Sequence, residues 1–572
     1  MNKIHVSLAL IAMIAASTVT AGAQSVKEGP EAKAYLVSNA HLDSQWNWDV
    51  QRTISEYVPK TLYRNLMLID RFPDYIFNCE SGIKYAWMKE YYPEAYSRLR
   101  DVISRGRWHI SGSCWEASDA NIPSPESLTR NILLGQHFYQ EEFGTLGTDI
   151  FLPDCFGFGL QLPAVAAHCG LIGFSTQKLQ WRERNLPGTD SKVPFEFGLW
   201  RALDGSRIMV AANSLNYTTR FNSEDLTNSP MLLEHAGRNP YNISFHYYGT
   251  GDTGGSPTIE SVATVQSAID AQKEGKEGRI RVMSAASDQL FKDFLPYESH
   301  PELPVWDKEL TMDVHGTGCY SSQAAMKRFN RLNEQMADAA ERSAVAAEWL
   351  GRLEYPQARL NEAWRRFIWH QFHDDLTGTS IPRAYEFSWN DQMISLRQFA
   401  DVMTSSVGAV ASRMDTKVPG IPVVLYNPSA FPRKEIVVIK SSDSKIYDGK
   451  GKAVKAQKLS DGRVAFVAEV PAAGYAVYGV RKGKASSGRS ALKTGPGSIE
   501  NAVYSIKLDA NGDICSLIDK RSGRQIVQEG KAIRLAFFTS NESFNWPAWE
   551  ITKATVDGTP SAVGSCVHIS VV

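Results

Sequence analysis

The chain has 572 residues, enough for about four domains at the usual size. Its 43% hydrophobic content excludes a disordered chain, and a net charge of -1 argues against a nucleic-acid binder, which needs excess Lys and Arg to replace phosphate counterions. Seven cysteines in this length, with no CxxC pair, exclude a disulfide scaffold and a thiolate zinc site.

The first 24 residues predict a secretory signal peptide. Lys3 and His5 precede an apolar run at 6–16, and small residues then end at Ala23. These are the basic, apolar and cleavage-site parts of such a signal, and the run is shorter than the roughly 20 residues that span a bilayer. A short buried helix is the alternative. We therefore expect a secreted or periplasmic protein with no integral membrane segment.

Short apolar strands alternate with longer helical stretches between residues 32 and 295. The predicted strands are 34–37, 75–77, 108–110, 150–152, 172–174, 243–245 and 280–283. This alternation predicts a largely parallel sheet with crossover helices, as a barrel or as an open doubly wound fold. In both folds, functional side chains collect just beyond the C-terminal ends of the strands.

Two regions with a different residue composition and hydrophobic pattern follow. Residues from about 324 to 414 are rich in Ala, Arg and Glu, and their helical apolar spacing predicts a small helical bundle. A linker at 418–422 comes next. Short β-like runs such as 464–467 and 475–478, separated by turn residues, then predict an antiparallel β region.

A histidine and an aspartate follow the first predicted strand. In extended backbone the side chains of residues i and i+2 share a face, so His41 and Asp43 can converge on one point. An imidazole nitrogen and a carboxylate oxygen are standard zinc ligands. A hydrogen-bonded surface pair is the alternative for an isolated H-x-D sequence. The position of this pair at the end of the first strand favours a metal site.

Two further clusters carry ionisable side chains. Asp154 follows the fourth strand among Pro, Phe and Gly, where it can be a third metal ligand or a nucleophile; a turn-capping aspartate is the alternative. His373 and Asp374 belong to a run of two His and two Asp at 370–375, near the end of the second predicted helix. Polar side chains at such a helix end project into a cleft, although a histidine there can also cap the helix.

A glycine-rich loop at 248–257 follows the sixth strand. Its glycines permit positive φ and a close backbone approach to a ligand, but it lacks the Lys-Ser/Thr of a phosphate-binding loop. Asp252 is a candidate acid or sugar contact, with a structural turn residue as the alternative. Trp46 and Trp115 also follow strand ends, and aromatic faces beside carboxylates suit a sugar, although a packed core explains either. Asp119 is a further candidate for a hydroxyl contact, with a solvated loop residue as the alternative.

Three sequence blocks resemble the motifs of glycoside hydrolase family 38, the retaining α-mannosidases. The blocks are His41-Leu42-Asp43 with Trp46, Leu152–Gly157, and His373–Thr379. Further similarity lies at 123–128, 176–181 and 251–255, in the order and at the spacing typical of the family. The resemblance covers about residues 33 to 440 and is greatest to the branch that includes cytosolic-type and bacterial enzymes.

The resemblance implies a multidomain α/β fold. In the family, an N-terminal β/α barrel is followed by a three-helix bundle and then by antiparallel β-sandwich domains. Together with the signal peptide at 1–24, this divides the chain into a barrel at 30–315, a helical bundle at 316–415 and a β-sandwich region at 421–572. Because family members usually carry a longer β region, we expect this last domain to be partial.

The resemblance also implies a metal centre. Carried over by motif, His41, Asp43, Asp154 and His373 would bind one zinc ion. Three of these residues come from strand ends and the fourth from the bundle, so the metal would connect the two domains. In this scheme zinc holds the sugar and stabilises its distorted, oxocarbenium-like form, and does not generate hydroxide.

The sugar contacts follow from the same resemblance. Asp154 would also be the nucleophile, Trp46 would stack on the mannose ring, and Asp374 would bind its hydroxyls. The expected acid/base is Asp252, with Asp313 as the alternative. Two carboxyl groups about 5–5.5 Å apart permit double displacement through a glycosyl-enzyme.

Three functions are consistent with the sequence. We expect a zinc-dependent exo-α-mannosidase acting on a mannose-containing glycan. A zinc-dependent polysaccharide deacetylase or amidohydrolase is the first alternative, because His and Asp ligands at strand ends equally suit metal-bound water. A catalytically inactive sugar-binding protein is the second, because the β region is short. The sequence leaves open the linkage, the natural glycan and whether the protein is a homo-oligomer.

Overall fold

The computed structural model of the protein describes residues 31–180, 193–276, 278–312, 315–485, 491–541, 543, 545–564 and 568. The predicted signal peptide at 1–24 and the alternative acid/base Asp313 lie outside this set, and both stay predictions. None of the helices formed by the described residues combines the length and the apolar character needed to cross a membrane.

Two five-stranded sheets form the core of the N-terminal region. Their strands are β1 (Lys33–Ala40), β2 (Phe77–Glu80), β3 (Trp108–Ser111), β4 (Asp149–Phe151), β5 (Gly173–Ser175), β6 (Phe197–Arg201), β7 (Arg207–Ala211), β8 (Ile243–Thr250), β9 (Arg281–Ser284) and β10 (Val305–Trp306). The first sheet has the order β3-β2-β1-β8, with β9 also paired to β1, and its pairings are parallel. The second has the order β10-β6-β7-β5-β4, in which β6 and β7 pair antiparallel and the other pairings are parallel. The predicted parallel α/β core is confirmed, and its closure into one barrel stays a prediction.

Strand β1 lies at the centre of the first sheet. It pairs with β8 along its whole length, from Lys33 opposite Ile243 to Ala40 opposite Thr250. Its other edge is shared, because β9 pairs with its first half and β2 with its second. Seven of its eight residues are buried, as expected for a central strand of a parallel sheet. The loop with the first predicted site residues therefore leaves the most enclosed strand of this sheet.

Helices connect and cover these strands. They are α1 (Val50–Arg52), α2 (Val58–Arg71), α3 (Gly82–Tyr91), α4 (Pro93–Ser104), α5 (Pro125–Phe143), α6 (Gln161–His168), α7 (Pro230–Ala236), α8 (Ile259–Lys273) and α9 (Gln289–Asp293). Local sequence sets the ends of α5: the Ser124 hydroxyl accepts a hydrogen bond from the Ser127 N–H, Pro125 opens the helix, and Gly144 ends it with a φ of 68°. A π-helical turn at Thr53–Tyr57 joins α1 to α2.

The seven predicted strands overlap β1–β5, β8 and β9. Strands β6 and β7 were not predicted, because they form an antiparallel hairpin inside a region where the sequence pattern was interpreted as strand-helix alternation. The Asp204-Gly205 pair between them is a turn signal that would have revealed the hairpin.

Three long helices form the middle region: α10 (Ala324–Ala346), α11 (Gln357–Trp369) and α12 (Pro382–Ala411). They pack on one another, and the Asn333 side chain of α10 donates to the Gln392 carbonyl of α12. Helix α11 ends at Trp369, so residues 370–379 form a buried turn between α11 and α12. This turn carries the predicted site residues of the middle region.

The C-terminal strands form antiparallel sheets, as predicted. They are β11 (Ile421–Asn427), β12 (Arg433–Ile439), β13 (Lys445–Tyr447), β14 (Ala453–Val454), β15 (Ala456–Lys458), β16 (Val464–Val470), β17 (Gly474–Arg481), β18 (Lys493–Gly495), β19 (Ser498–Glu500), β20 (Tyr504–Leu508), β21 (Ile514–Asp519), β22 (Arg524–Gln525), β23 (Ala536–Phe537) and β24 (Ser561–Ala562), with helix α13 (Lys553–Asp557) between the last two. The sheets β11-β17-β13-β14 and β12-β16-β15 share an apolar core that contains Ile446, Phe466 and Tyr478. A third sheet joins β18 to β22 in sequence order. The predicted domain boundaries stay predictions.

Candidate functional site

Five predicted site residues converge at the C-terminal ends of the parallel strands. His41 Nε2 lies 2.9 Å from Asp43 Oδ1, and His373 Nε2 lies 3.4 Å from the same oxygen. The ligand atoms of His41, Asp154 and His373 lie within 4.8 Å of one another, and so do those of Asp43, His373 and Asp374. The loops after β1 and β4 and the turn after α11 therefore meet at one point.

The donor set at this point fits a divalent cation. All five residues are buried, which excludes the alternative of a surface pair for His41 and Asp43. His41 Nε2 and His373 Nε2 both lie close to Asp43 Oδ1, and none of the three atoms makes a well-oriented hydrogen bond with a residue that the structure describes. A buried polar atom left without a hydrogen bond costs about 1–3 kcal/mol, and a cation bound between the three atoms would coordinate all of them. Two imidazoles and a set of carboxylates are ligands that suit zinc.

The Nδ1 atom of each imidazole contacts an oxygen atom that orients the ring. His41 Nδ1 lies 2.6 Å from Glu80 Oε1, and the Lys84 ammonium lies 3.0 Å from the same oxygen. His373 Nδ1 lies 3.0 Å from the Ala117 carbonyl oxygen. Such partners fix the tautomer and the orientation of a metal-binding imidazole. Our sequence analysis missed Glu80, although it is the last residue of β2 and so obeys the strand-end rule.

We expect Glu80→Gln to weaken the binding of a divalent metal by about 10–100-fold, because His41 would lose the carboxylate that orients it and raises its basicity. Titration calorimetry with Zn²⁺ measures this affinity directly. The matched control is Glu90→Gln, which removes an exposed carboxylate from the end of α3 and should leave the affinity unchanged. An unaltered zinc affinity in Glu80→Gln, with the fold intact by circular dichroism, would contradict the expectation.

Asp154 is paired with a buried lysine. Lys178 Nζ, from the short turn after β5, lies 2.7 Å from Asp154 Oδ1. Burial lowers the pKa of Lys178, but the Asp154 carboxylate more than offsets this and raises it. The lysine therefore stays charged and stabilises the carboxylate of Asp154. This arrangement replaces the turn-capping alternative, and it had no signal in the sequence beyond the position of Lys178 after a strand.

Asp252 lies beside the cluster on the loop that follows β8. Its backbone carbonyl accepts a hydrogen bond from the Asp43 N–H at 2.8 Å, and the Tyr217 hydroxyl donates to its Oδ1 at 2.7 Å. Asp252 has a φ of 60°, which is uncommon for a residue other than glycine. At Gly249, near the end of β8, an added Cβ would lie 2.0 Å from the Asn39 carbonyl oxygen, so only glycine fits.

Burial and like charge act on two of the carboxyl groups. Burial, followed by repulsion from Asp43 and Asp154, raises the pKa of Asp252 to about 6. Burial and repulsion from Asp43 likewise raise the pKa of Asp374 to about 8. The Thr379 hydroxyl also donates a hydrogen bond to Asp374. Burial and mutual repulsion therefore oppose the ionisation of some of these carboxyl groups. A bound cation would offset the repulsion.

Trp46 lies at the edge of the cluster and is half-buried. Its ring centroid lies 5.8 Å from that of Trp549, and the two ring planes differ by 19°. Trp549 also approaches the Phe156 ring, with the centroids 5.6 Å apart. The rings of Trp46, Phe156 and Trp549 therefore form an aromatic surface beside the cluster. Trp549 was not predicted.

The structure does not bring Trp115 to the cluster. The Trp115 ring packs in the apolar core, 5.6 Å from that of Phe138, and its role as a sugar contact stays a prediction. Asp119 is buried and accepts hydrogen bonds from the N–H groups of Asn121 and Ile122, so the solvated-loop alternative is excluded. Its role as a hydroxyl contact also stays a prediction.

Two family descriptions match the chain. The N-terminal domain of glycosyl hydrolases family 38 matches residues 31–309, and the alpha mannosidase middle domain matches residues 315–410. The first contains Asp252 and three of the clustered residues, and the second contains His373 and Asp374.

Individual proteins are similar over most of the chain. Alpha-mannosidase 2C1 of Homo sapiens is 28% identical over 94% of this chain and 49% of its own length, and alpha-mannosidase G of Dictyostelium discoideum is 27% identical over 91% and 49%. The chain thus spans about half the length of these relatives. The fold of an alpha-mannosidase from Enterococcus faecalis V583 matches 91% of this chain and 64% of that chain, with a TM-score of 0.71 at 18% identity. On the two domain matches, which together span most of residues 31–410, the chain belongs to glycosyl hydrolase family 38.

Proposed function

We propose that the protein is a zinc-dependent, retaining exo-α-mannosidase that removes terminal α-linked mannose from a glycan. The observation that carries the proposal is the buried convergence of His41, Asp43, Asp154 and His373, in which two imidazole nitrogens face one carboxylate oxygen beside Asp252. The family and the names of the similar proteins support the substrate class.

In this proposal His41, Asp43, Asp154 and His373 hold one zinc ion. When bound, the ion supplies a fixed positive charge that holds sugar hydroxyls and stabilises the oxocarbenium-like transition state. Asp374 has one carboxylate oxygen within 4.8 Å of the ligand atoms of Asp43 and His373, and it binds hydroxyls of the mannose ring. Trp46 offers an aromatic face to that ring.

Asp154 and Asp252 share the two bond-changing steps. Asp154 attacks the anomeric carbon and forms a glycosyl ester while Asp252 gives its proton to the departing glycosidic oxygen. Asp252, now a carboxylate, then takes a proton from water as the water oxygen attacks the same carbon and displaces Asp154. Two inversions at one carbon return the α configuration. The Lys178 ammonium, 2.7 Å from Asp154 Oδ1, orients this carboxylate for the first step.

The proposal also assigns the regions of the chain. The two N-terminal sheets correspond to the barrel at 30–315, helices α10–α12 to the three-helix bundle at 316–415, and the antiparallel sheets to the β-sandwich region at 421–572. The signal peptide at 1–24 would send the enzyme to the periplasm or the medium.

Turnover of 4-nitrophenyl α-D-mannopyranoside, with and without chelator, tests the proposal. We expect hydrolysis that chelator abolishes and Zn²⁺ restores, and NMR should show α-mannose as the first product. A first product of β configuration would contradict retention. Release of acetate from an acetylated polysaccharide without mannoside turnover would favour the deacetylase. Hydrolysis of linkage-defined mannobioses then identifies the linkage.

A further inference from the structure

A tryptophan from the C-terminal region reaches the proposed site. Trp549 is 6% exposed and lies outside both matched domains. Its ring is nearly parallel to that of Trp46, and Lys178 Nζ lies 5.7 Å from the same ring. Lys178 is the ion-pair partner of Asp154. The Trp549 side chain therefore contacts both Trp46, on which the sugar is proposed to stack, and the lysine that pairs with the proposed nucleophile.

The segment around Trp549 has anchors besides its ring. The Trp549 carbonyl accepts a hydrogen bond from the Gly318 N–H at 2.7 Å, in the turn before α10. The next residue, Glu550, lies 3.2 Å from the His315 ring nitrogen, and both side chains are buried. Replacing the indole retains these polar groups and removes the edge-on contact between the Trp549 and His315 rings, whose centroids lie 5.1 Å apart.

The ring separation determines which face of Trp46 a sugar can use. Carbon atoms in contact are about 3.5–4.0 Å apart, so a pyranose between two parallel rings needs roughly 7–8 Å between them. The 5.8 Å between the Trp46 and Trp549 centroids is too short for this. Trp549 therefore covers one face of Trp46, and the Trp48 ring lies edge-on to Trp46 with the centroids 6.1 Å apart. A sugar must stack on the part of the Trp46 ring that these two residues leave open.

We infer that Trp549 is a positioning residue of the sugar site, which fixes the Trp46 ring for stacking on the pyranose and keeps water from the Lys178–Asp154 ion pair. This inference rests on the proposed function. It assigns part of the sugar site to the C-terminal β region, beyond the two matched domains.

The test compares Trp549→Ala with the wild-type chain. We expect KM for the nitrophenyl mannoside to rise, and the affinity for D-mannose measured by calorimetry at saturating Zn²⁺ to fall, each by about tenfold, the size of a lost aromatic pair and cation–π contact. The effect on kcat should be smaller, because Asp154 and Asp252 are retained. Trp549→Phe keeps an aromatic face and should recover most of the affinity.

Two tryptophan variants serve as controls. Trp349→Ala removes an indole that is 83% exposed on the middle region and should change nothing. Trp546→Ala removes the neighbouring indole, whose centroid lies 4.0 Å from that of Trp549, and should change KM by less than about threefold because it acts only through Trp549. An equal loss in Trp546→Ala and Trp549→Ala would overturn the inference, since docking of the segment would then be the cause.

The outcomes separate the inference from the proposed function. If the wild-type chain hydrolyses the mannoside and Trp549→Ala has the same KM and mannose affinity, only the inference fails. If the wild-type chain binds mannose without turning over the mannoside, the proposed function fails, and the mannose affinities of the variants still decide the inference. A wild-type chain that neither binds mannose nor hydrolyses the mannoside overturns both.

Discussion

Asp154→Asn should lower kcat for an α-mannoside by at least about 10⁴-fold, the scale of loss seen when a covalent nucleophile is removed. The amide has the shape of the carboxylate but cannot form a stable glycosyl ester. It would also leave the buried Lys178 ammonium, 2.7 Å from Asp154 Oδ1, without its counter-charge. Steady-state kinetics measures the loss, and zinc content should be measured alongside it, because Asp154 is also a proposed ligand.

Two further measurements identify the nucleophile directly. A fluorinated mannosyl inhibitor should trap an ester on Asp154 that peptide mass spectrometry locates. In Asp154→Ala, added azide should restore turnover and give a mannosyl azide of inverted configuration, because the small anion enters the vacated space. Asp204→Asn, in the exposed turn between β6 and β7, is the matched control and should keep wild-type kinetics. An ester on another residue of an active enzyme would contradict the assignment to Asp154.

The second large effect is expected on stability when the metal is removed. A ligand present at 100 times its Kd stabilises the folded state by about 2.7 kcal/mol, and for a chain of this size that corresponds to a fall in Tm of about 2 °C when the ligand is removed. Chelator should therefore lower the Tm of the wild-type protein by about this amount and abolish hydrolysis. Scanning calorimetry with and without chelator measures the change in Tm. Added Zn²⁺ should restore both the Tm and the hydrolysis.

His373→Ala links this effect to the proposed ligands. The variant should melt like the chelated wild-type protein, and chelator should change its Tm no further. His137→Ala, which removes a half-exposed imidazole from the surface of α5, should keep the full response to chelator. A normal metal content in His373→Ala would show that the ion binds elsewhere.

Much of the site could be predicted because strand ends and short motifs are local in sequence. Functional side chains of α/β folds collect at the C-terminal ends of the strands, so the alternation alone indicated His41, Asp43 and Asp154 as candidates. Because β1 and β4 belong to different sheets, the alternation alone did not establish that these residues meet. The approach of His373 is different, because no periodicity brings a turn after α11 to those strand ends. Only the family resemblance predicted it.

The partners that hold the site were not predictable in the same way. These residues contact partners that lie elsewhere in the sequence, and their local sequence does not indicate which residues those partners are. They are Glu80, Lys178, Tyr217 and Trp549. Trp115 shows a different difficulty, because its position after a strand suits a sugar contact and its ring also packs in the core beside Phe138. Large aromatic side chains serve packing and binding equally well, so only tertiary structure separates the two roles.

The register between β1 and β8 has a consequence for how the site responds to motion. Ala40 and Thr250 face each other on the last rung of that ladder, and the chain bridges once more at Leu42 and Thr253. Backbone pairing thus continues between the segments that carry Asp43 and Asp252 after they leave the sheet. We therefore expect Asp43 and Asp252 to move together when the loops fluctuate, with little change in the distance between them, because the Asp43 N–H also donates to the Asp252 carbonyl.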